Sequence, residues 1–133
     1  MSTIFSKIYH GELPGFVIAE SPKSFAILNR FPTQPGHALV MPKQEIGYLF
    51  DLPLEDYQDI MELTYKVAPA LKAVTKANKI GLAVEGFGVK DHAHIHLIPI
   101  NSSADFSTSM APEATDEELA EIAEQFSRHW PQA

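Results

Sequence analysis

Three histidines alternate with apolar residues in the segment Asp91–Pro99: His92, His94 and His96. Successive side chains of a β-strand point to opposite faces, so this spacing predicts three imidazoles on one face of a strand. The chain has six histidines, and half of them fall within these five residues. Adjacent imidazoles compete for partners and repel one another when protonated, so the cluster indicates a function rather than ordinary packing.

Two kinds of chemistry fit this cluster. One is a metal site, because histidine is the commonest metal ligand and His92 and His94 are spaced to share one ion. The first and third imidazoles lie roughly 13 Å apart at a rise of ~3.3 Å per residue, which is too far for one tetrahedral ion to bind all three histidines. Carboxylates that could complete such a site are scarce, since only Glu85 and Asp91 lie nearby. The other is an anion site in which a neutral imidazole attacks phosphorus and its neighbours donate protons. His94, which has a histidine on each side, is then the natural nucleophile.

Short apolar runs bounded by turn residues predict the strands that position these groups. The strands are Phe16–Ala19, Ser24–Leu28, His37–Met41, Ile80–Val84 and His92–Ile100. Helical spacing predicts a short helix, Ile4–Tyr9, ended by Gly11, and a capping box at Thr115–Glu118 opens a final helix. The elements show no βαβ alternation, so we predict an α+β fold with a five-stranded, largely antiparallel sheet covered by helices.

The main helix is predicted from Leu54 to about Ala77. Pro69 lies inside this pattern and removes a backbone donor, so we expect a kink or a break there. The apolar positions recur at a spacing of three to four residues, which is typical of one buried face, and we assign them to core and dimer contacts. They are Leu54, Tyr57, Ile60, Leu63, Val67, Leu71 and Val74.

Composition excludes several classes of protein. The 133 residues contain no cysteine, which excludes disulfides, thiolate metal sites and a thiol nucleophile. The apolar runs are too short for a membrane span or a signal peptide, so a cytoplasmic protein without membrane contact is expected. The net charge of −7 argues against nucleic-acid binding. Six of these charges lie beyond Ile100, where an acidic segment is expected to serve solubility and to disfavour highly anionic leaving groups.

The sequence resembles the histidine-triad family in three blocks. His-Ala-His-Ile-His-Leu-Ile, from His92 to Ile98, resembles the family signature of alternating histidines and apolar residues. The segment Ile4–Pro14 resembles the family's opening segment, and Phe25–Lys43 is similar to its central block in spacing and in residue type. The resemblance covers roughly residues 3 to 100. The whole chain, residues 1–133, is predicted to form one domain. The branches of the family that it resembles are the nucleotide-binding and the fragile-histidine-triad branches. Residues 101–133 are expected to form a polar loop and the acidic helix.

The resemblance implies a fold, a reaction and a set of roles. Members bind nucleotides, cleave the bond to the α-phosphate through a covalent nucleotidyl-histidine and usually form a homodimer that joins two five-stranded sheets. By the resemblance His94 is the nucleophile, His92 and His96 flank it at the phosphates, and His37 is a further histidine nearby. Asn29 matches the residue that bonds the ribose hydroxyls. The apolar base pocket is matched by Ile4, Phe5, Ile8 and Ile27.

The sequence departs from the family pattern before the triad. Many members have a glycine-glutamine pair followed by a small hydroxyl residue at this place, whereas this chain has the run Glu85–Asp91, which lacks the glutamine and the hydroxyl. In this run Gly86 and Gly88 allow backbone N–H groups to approach a phosphate, and Lys90 adds charge. Thr3 and Ser6 stand where the family's optional zinc site has cysteines, so no metal site is predicted.

The main hypothesis is a hydrolase for a nucleoside phosphoramidate or a dinucleoside polyphosphate, with a purine nucleotide as substrate. Retention of His96, which the transferase branch replaces by glutamine, favours hydrolysis. Asn29 favours the branch that cleaves diadenosine polyphosphates. No cofactor is expected beyond a divalent cation that accompanies a polyphosphate. The alternatives are a regulatory nucleotide-binding protein with little turnover and a metal-binding protein that uses His92 and His94.

Overall fold

The computed structural model describes residues 2–130 and contains one five-stranded sheet with three α-helices. The strands are β1 Val17–Glu20, β2 Ser24–Leu28, β3 Ala38–Pro42, β4 Lys79–Ala83 and β5 Ile95–Ile100. The helices are α1 Ile4–Tyr9, α2 Leu54–Thr75 and α3 Asp116–Ser127, with 3₁₀ turns at Leu49–Asp51 and Ser103–Asp105. The strand order is β1-β2-β3-β5-β4, and every neighbouring pair is antiparallel. The predicted α+β class is confirmed.

The sheet separates two apolar clusters because alternate residues of each strand face opposite sides. On one side, α2 packs on β2, β3 and β5, and α3 packs on α2 and β1. The buried residues on this side include Ala26, Val40, Ile95, Leu97, Ile60, Val67 and Phe126. On the other side, α1 covers a smaller cluster of Phe5, Phe25, Ile27, Leu39 and Met41. His94 and His96 have the parity of this second face, so the triad segment turns its histidines away from α2.

The register of the central strands brings two histidines together that are far apart in sequence. β3 pairs with β5 so that Leu39 is opposite His96. His37 precedes β3 and lies two residues from Leu39 on the same face. It is therefore a diagonal neighbour of His96, at a separation that ring side chains can bridge. Fifty-nine residues of chain separate the two imidazoles.

α2 runs without interruption over 22 residues, so the break expected at Pro69 does not occur. Pro69 and Tyr65 are both exposed, which leaves the carbonyl that lacks an amide partner facing water instead of the core. Leu54 was expected on the buried face, but its side chain is 70% exposed. The first turn of a helix can extend past the edge of the sheet that it covers, and the buried face of α2 begins at Asp56.

The predicted end of α1 and the predicted start of α3 are confirmed, but the predicted start of β5 is wrong. Gly11 follows α1 with a positive φ of 78°, and Thr115 and Glu118 form the expected capping box of α3. β5 begins only at Ile95, so His92 and His94 both precede the strand on which they were placed. Within residues 2–130, no helix is both long and apolar enough to cross a membrane.

Candidate active site

His94 presents an unprotonated nitrogen at the start of β5. Its Nδ1 lies 2.9 Å from the backbone carbonyl oxygen of His92. A carbonyl oxygen only accepts, so Nδ1 carries the hydrogen and donates it. Burial lowers the pKa of His94, while this hydrogen bond and the charge of Glu85 oppose the shift in part. A neutral imidazole with its hydrogen on Nδ1 has a lone pair on Nε2, which is what a nucleophile requires.

His37 and His96 form a directed pair beside that nucleophile. The backbone N–H of Thr33 donates to Nδ1 of His37 at 3.1 Å, so the hydrogen of neutral His37 is on Nε2. That nitrogen donates to Nδ1 of His96 at 2.9 Å, and the hydrogen of His96 is therefore on its Nε2. Burial first, and neighbouring histidines second, lower the pKa of His37 to about 3 and that of His96 to about 4. Both rings are neutral at pH 7, and His96 keeps one N–H donor for a ligand.

His92 is fully buried and has both ring nitrogens in use. Its Nε2 donates to the carbonyl oxygen of Pro42 at 2.6 Å, and the hydroxyl of Thr3 donates to Nδ1 at 2.6 Å. Burial lowers its pKa despite the bond to Pro42. The ring of His92 packs edge-on against Phe5 and Phe25, so it lies on the same α1 side of the sheet as His94 and His96, as the alternation predicts. It is not on the cavity wall, however, because the chain turns at Asp91 and His92 before β5 begins and both ring nitrogens bond protein atoms.

The two hydroxyl residues at the expected cysteine positions stabilise this region by hydrogen bonds. The Thr3 side chain accepts from the backbone N–H of Ser6 at 3.2 Å, which caps α1, and it also holds His92. Residues 2–130 contain no group of three or more His, Cys, Asp or Glu side chains arranged to hold a metal ion. The pairing of His92 with His94 around one ion does not fit, because Nδ1 and Nε2 of His92 and Nδ1 of His94 all bond protein atoms.

His94 and His96 open into a cavity of about 550 Å³. Its wall includes most of the predicted nucleotide-binding residues, namely Ile4, Phe5, Ile8, Ile27, Asn29 and Gly88. It also includes apolar residues that were not predicted, among them Phe16, Phe31, Leu39, Val89, Met110 and Leu119. One side of the cavity is therefore apolar and large enough for a flat aromatic ring, and the other side carries the imidazoles.

Three predicted site residues do not lie on the cavity wall. His92 and His37 are buried behind His94 and His96, which they contact by hydrogen bonds. Lys90 is exposed in the loop before the triad and lies off the wall. Gly88 does reach the wall, and a Cβ atom there would meet nothing within 4 Å, so the backbone at Gly88 is open to a ligand.

Asn29 directs an amide donor toward the cavity. Its Oδ1 accepts the backbone N–H of Phe31 at 2.9 Å, which fixes the orientation of the side chain. Nδ2 lies 3.5 Å from both ring nitrogens of His37, at the outer limit of hydrogen bonding, so its donors remain open to a ligand oxygen.

Sequence reasoning missed the wall that comes from beyond residue 100. Thr108, Ser109, Met110 and Leu119 line the cavity. Arg30 holds this segment on one side, through a 2.6 Å ion pair with Asp116 and a hydrogen bond from the N–H of Ala114 to its carbonyl oxygen at 2.8 Å. The acidic first turn of α3 was visible in the sequence, but its partner 86 residues away was not.

A comparison with known proteins identifies the family. Residues 10–103 match the model of the HIT domain, the histidine-triad domain, and the chain belongs to that family. It is 39% identical over 102 residues to an adenosine 5'-monophosphoramidase of Schizosaccharomyces pombe, covering 74% of each chain. It is 32% identical over 127 residues to the adenosine 5'-monophosphoramidase of Candida albicans, covering 86% of this chain and 82% of that protein.

Solved structures give the same assignment. A HIT-like protein of Bartonella henselae, described as involved in cell-cycle regulation, superposes with a TM-score of 0.81 at 25% identity, covering 96% of this chain and 95% of that one. The expected family and the expected class of enzyme, a hydrolase of the histidine-triad type, are confirmed. The match ends at residue 103, so the cavity wall formed by Thr108–Met110 and α3 lies outside the part shared with the family model.

Proposed function

We propose that this chain hydrolyses a purine nucleotide at its α-phosphate through a covalent nucleotidyl-His94 intermediate and releases a nucleoside monophosphate. The observation that carries the proposal is the Nε2 lone pair of His94 on the wall of the 550 Å³ cavity, fixed by the bond of Nδ1 to a backbone carbonyl. The substrate is a nucleoside phosphoramidate or a dinucleoside polyphosphate. Similarity to two adenosine 5'-monophosphoramidases supports the first of these classes.

The reaction has two displacement steps. First, Nε2 of His94 bonds to the α-phosphorus while the bond from phosphorus to the leaving nitrogen or oxygen breaks and its electron pair stays on the leaving atom. Water then attacks phosphorus and the bond to Nε2 breaks. One water is consumed overall: its oxygen and one hydrogen enter the nucleoside monophosphate, and the other hydrogen goes to the leaving group. We expect no cofactor, and a divalent cation enters only as the companion of a polyphosphate.

The neighbouring histidines stabilise charge instead of attacking. The Nε2–H of His96 is the donor available to a phosphate oxygen, and the bond from His37 polarises that ring. His92 is a positioning residue, since its carbonyl oxygen orients the ring of His94 and its own ring stays out of the cavity. The base would pack among Ile4, Phe5, Ile8 and Ile27, and the ribose hydroxyls would meet Asn29.

The direct test is AMP release from an adenosine 5'-phosphoramidate and from diadenosine tetraphosphate by the purified chain. A rapid acid quench followed by mass spectrometry should find one adenylyl group on the peptide that contains His94. His10→Ala is the matched control, because His10 is exposed and outside the cavity. Turnover that survives His94→Ala would contradict the mechanism. Tight AMP binding without any turnover would instead favour the regulatory alternative.

We also propose a homodimer, which rests on an exposed apolar face. β4 is an edge strand, and Leu82 within it and Val84 directly after it are 47% and 40% exposed. Tyr48 and Phe50 are exposed next to the same strand and line, with Leu82, a second cavity of about 370 Å³. A face of this kind is typical of an interface. Light scattering should give a molar mass of two chains for the wild type and of one chain for Leu82→Lys. Leu13→Lys, at a distant exposed residue, should keep the mass of two chains.

A further inference from the structure

Glu85 is a carboxylate on the wall of the nucleotide cavity that the reaction described above does not use. It follows β4, at the end of the strand that pairs with β5, and it is the sole acidic residue on the described cavity wall. It shares that wall with His94 and His96, and its charge raises the pKa of both against the effect of burial. An exposed negative charge therefore shares the wall with the nitrogen that would attack phosphorus.

The position of Glu85 puts it on the side of the leaving group. The residues that would hold the base come from α1 and β2, at the apolar end of the cavity. Glu85 also borders the second cavity, beside Tyr48 and Gly86, which none of the base-pocket residues lines. In the strand order β1-β2-β3-β5-β4, Glu85 follows β4 and is separated from β2 of the base pocket by two strands. With the nucleoside at the α1 and β2 end, the leaving group on the other side of the phosphate extends toward Glu85.

The carboxylate of Glu85 is held in place by a residue outside the shared family region. The hydroxyl of Thr108 donates to its Oε2 at 2.9 Å. Thr108 belongs to the segment that Arg30, Ala114 and Asp116 fasten across the cavity. A carboxylate that is hydrogen-bonded in this way points in a defined direction, which a specificity determinant requires.

No cation of the protein neutralises Glu85 among residues 2–130. No lysine or arginine forms an ion pair with it there. Arg30 is the one basic residue on the described wall, and its guanidinium is already paired with Asp116 at 2.6 Å. His94 and His96 are neutral at pH 7 because burial lowers their pKa values. The leaving-group side of the cavity therefore carries an uncompensated negative charge.

We propose that Glu85 selects leaving groups that carry a positive charge, namely amines with a second, protonated amino group, and rejects polyphosphate leaving groups. This inference rests on the proposed hydrolysis at His94. An ammonium near Glu85 is attracted to its carboxylate, whereas each further phosphate adds a negative charge beside a negative charge. The substrate class that follows is a nucleoside phosphoramidate of a diamine or of a similarly cationic amine.

The experiment compares kcat/KM for three adenosine substrates on the full chain. They are the N-(2-aminoethyl) phosphoramidate, the N-propyl phosphoramidate, which is similar in size but has no charged group on its amine, and diadenosine tetraphosphate. The wild type should prefer the aminoethyl over the propyl compound by about tenfold or more. Glu85→Gln should bring this ratio close to one and raise kcat/KM for diadenosine tetraphosphate by about tenfold, since glutamine keeps an acceptor for Thr108 without the charge. Glu113→Gln makes the same change of charge at a residue that does not line the cavity. It should leave the ratio of the aminoethyl to the propyl compound and the kcat/KM for diadenosine tetraphosphate unchanged.

The outcomes separate this inference from the function beneath it. If the wild type is active through His94 but shows the same ratio of kcat/KM for the aminoethyl and propyl compounds as Glu85→Gln, the role of Glu85 alone is overturned. A wild type that turns over none of the three compounds overturns the proposed hydrolysis. In that case calorimetry can still test the role of Glu85, through the dissociation constants of the two phosphoramidates for the wild type and for Glu85→Gln. Equal dissociation constants for the aminoethyl and propyl compounds in the wild type would refute that role.

Discussion

The side chains of residues 94 to 97 alternate between two surfaces that the protein uses in different ways. Ile95 and Leu97 point into the apolar cluster under α2, where they contact other apolar side chains. His94 and His96 point to the α1 side, where each has a hydrogen bond of defined direction. Both surfaces are buried, but burial of an apolar group is stabilising by itself, whereas burial of an imidazole requires a partner for its nitrogens.

This difference explains why the two surfaces should respond differently to mutation. On the α2 side, stability depends on the volume and shape of the side chains. On the α1 side, the bonds to His92, His37 and Thr33 determine which nitrogen of each ring carries the hydrogen, so chemistry depends on single hydrogen bonds. Neighbouring substitutions on opposite faces can therefore separate activity from stability.

The largest expected effect is on activity and comes from the site face. His94→Ala should reduce kcat/KM for AMP release by about 10⁴-fold or more, because no other unprotonated imidazole nitrogen faces the cavity in residues 2–130. The free energy of unfolding should fall by only about 1 kcal/mol, the worth of one hydrogen bond. Steady-state kinetics and urea unfolding of the same preparation measure both quantities. A loss of several kcal/mol would show that His94 is a core residue.

The adjacent residue should show the reverse. Ile95 is fully buried in the α2 cluster, and Ile95→Ala should lower the free energy of unfolding by about 3 kcal/mol through lost burial and the cavity left behind. The kcat of the folded protein should stay within about threefold of wild type, because the carbonyl of His92 and the ring of His94 are untouched. Denaturant unfolding and kinetics at 15 °C test this, and a collapse of kcat in the folded protein would contradict the separation of the two faces.

How far the sequence predicts this arrangement depends on the range of the interactions involved. The parity of His94 and His96 follows from alternation alone, and so does their placement opposite Ile95. The start of β5 does not, because the same alternation continues back through His92 and therefore predicts a strand from His92, whereas β5 begins at Ile95. The pairing of His37 with His96 depends on strand order, which a single sequence did not provide.

The far side of the cavity shows the same limit. The apolar residues of α1 and β2 were identified by resemblance, and they lie on the cavity wall. Met110 and Leu119 reach the same wall only because Arg30 pairs with Asp116, a contact between distant parts of the chain. Glu85 was noted in the sequence only as a scarce carboxylate near the triad, because its value depends on the cavity that surrounds it.

The pH dependence of stability should come from the site face. The pKa values of His37 and His96 are lowered to about 3 and about 4 by burial, against about 6.5 in the unfolded chain. The unfolded state therefore binds more protons between pH 6.5 and 4, and stability falls as the pH falls through this range. At pH 5.5 each of the two histidines should cost about 1.4 kcal/mol relative to pH 7.5.

Urea unfolding at pH 7.5, 6.5 and 5.5 measures this dependence. His37→Gln should reduce the loss between pH 7.5 and 5.5, because one of the buried histidines with a lowered pKa is gone, while His10→Gln, on an exposed histidine, should keep it. A free energy of unfolding that is constant over this range would mean that the rings are charged in the folded protein. The order of hydrogens assigned to His37 and His96 would then be wrong.

The smallest expected effect compares two threonines that serve the two faces. Thr3→Val removes the donor to Nδ1 of His92 and the cap of α1, which should cost about 2 kcal/mol because a buried acceptor loses its partner. His92 then holds the ring of His94 less firmly, so kcat should fall by about tenfold while KM changes little. Thr3→Ser keeps the hydroxyl and should restore kcat, an outcome that a merely structural role of Thr3 does not require.

Thr64 provides the matched control on the other face. Its hydroxyl is also buried, but it donates only to the carbonyl of Ile60 one turn back in α2, which keeps its helical partner when the hydroxyl is removed. Thr64→Val should therefore change stability by less than about 1 kcal/mol and leave kcat unchanged. Equal losses of kcat in Thr3→Val and Thr64→Val would mean that general destabilisation, and not the bond to His92, sets the rate. A loss confined to Thr3→Val would extend the site from the cavity wall to a hydroxyl behind it, since Thr3 reaches His94 only through His92.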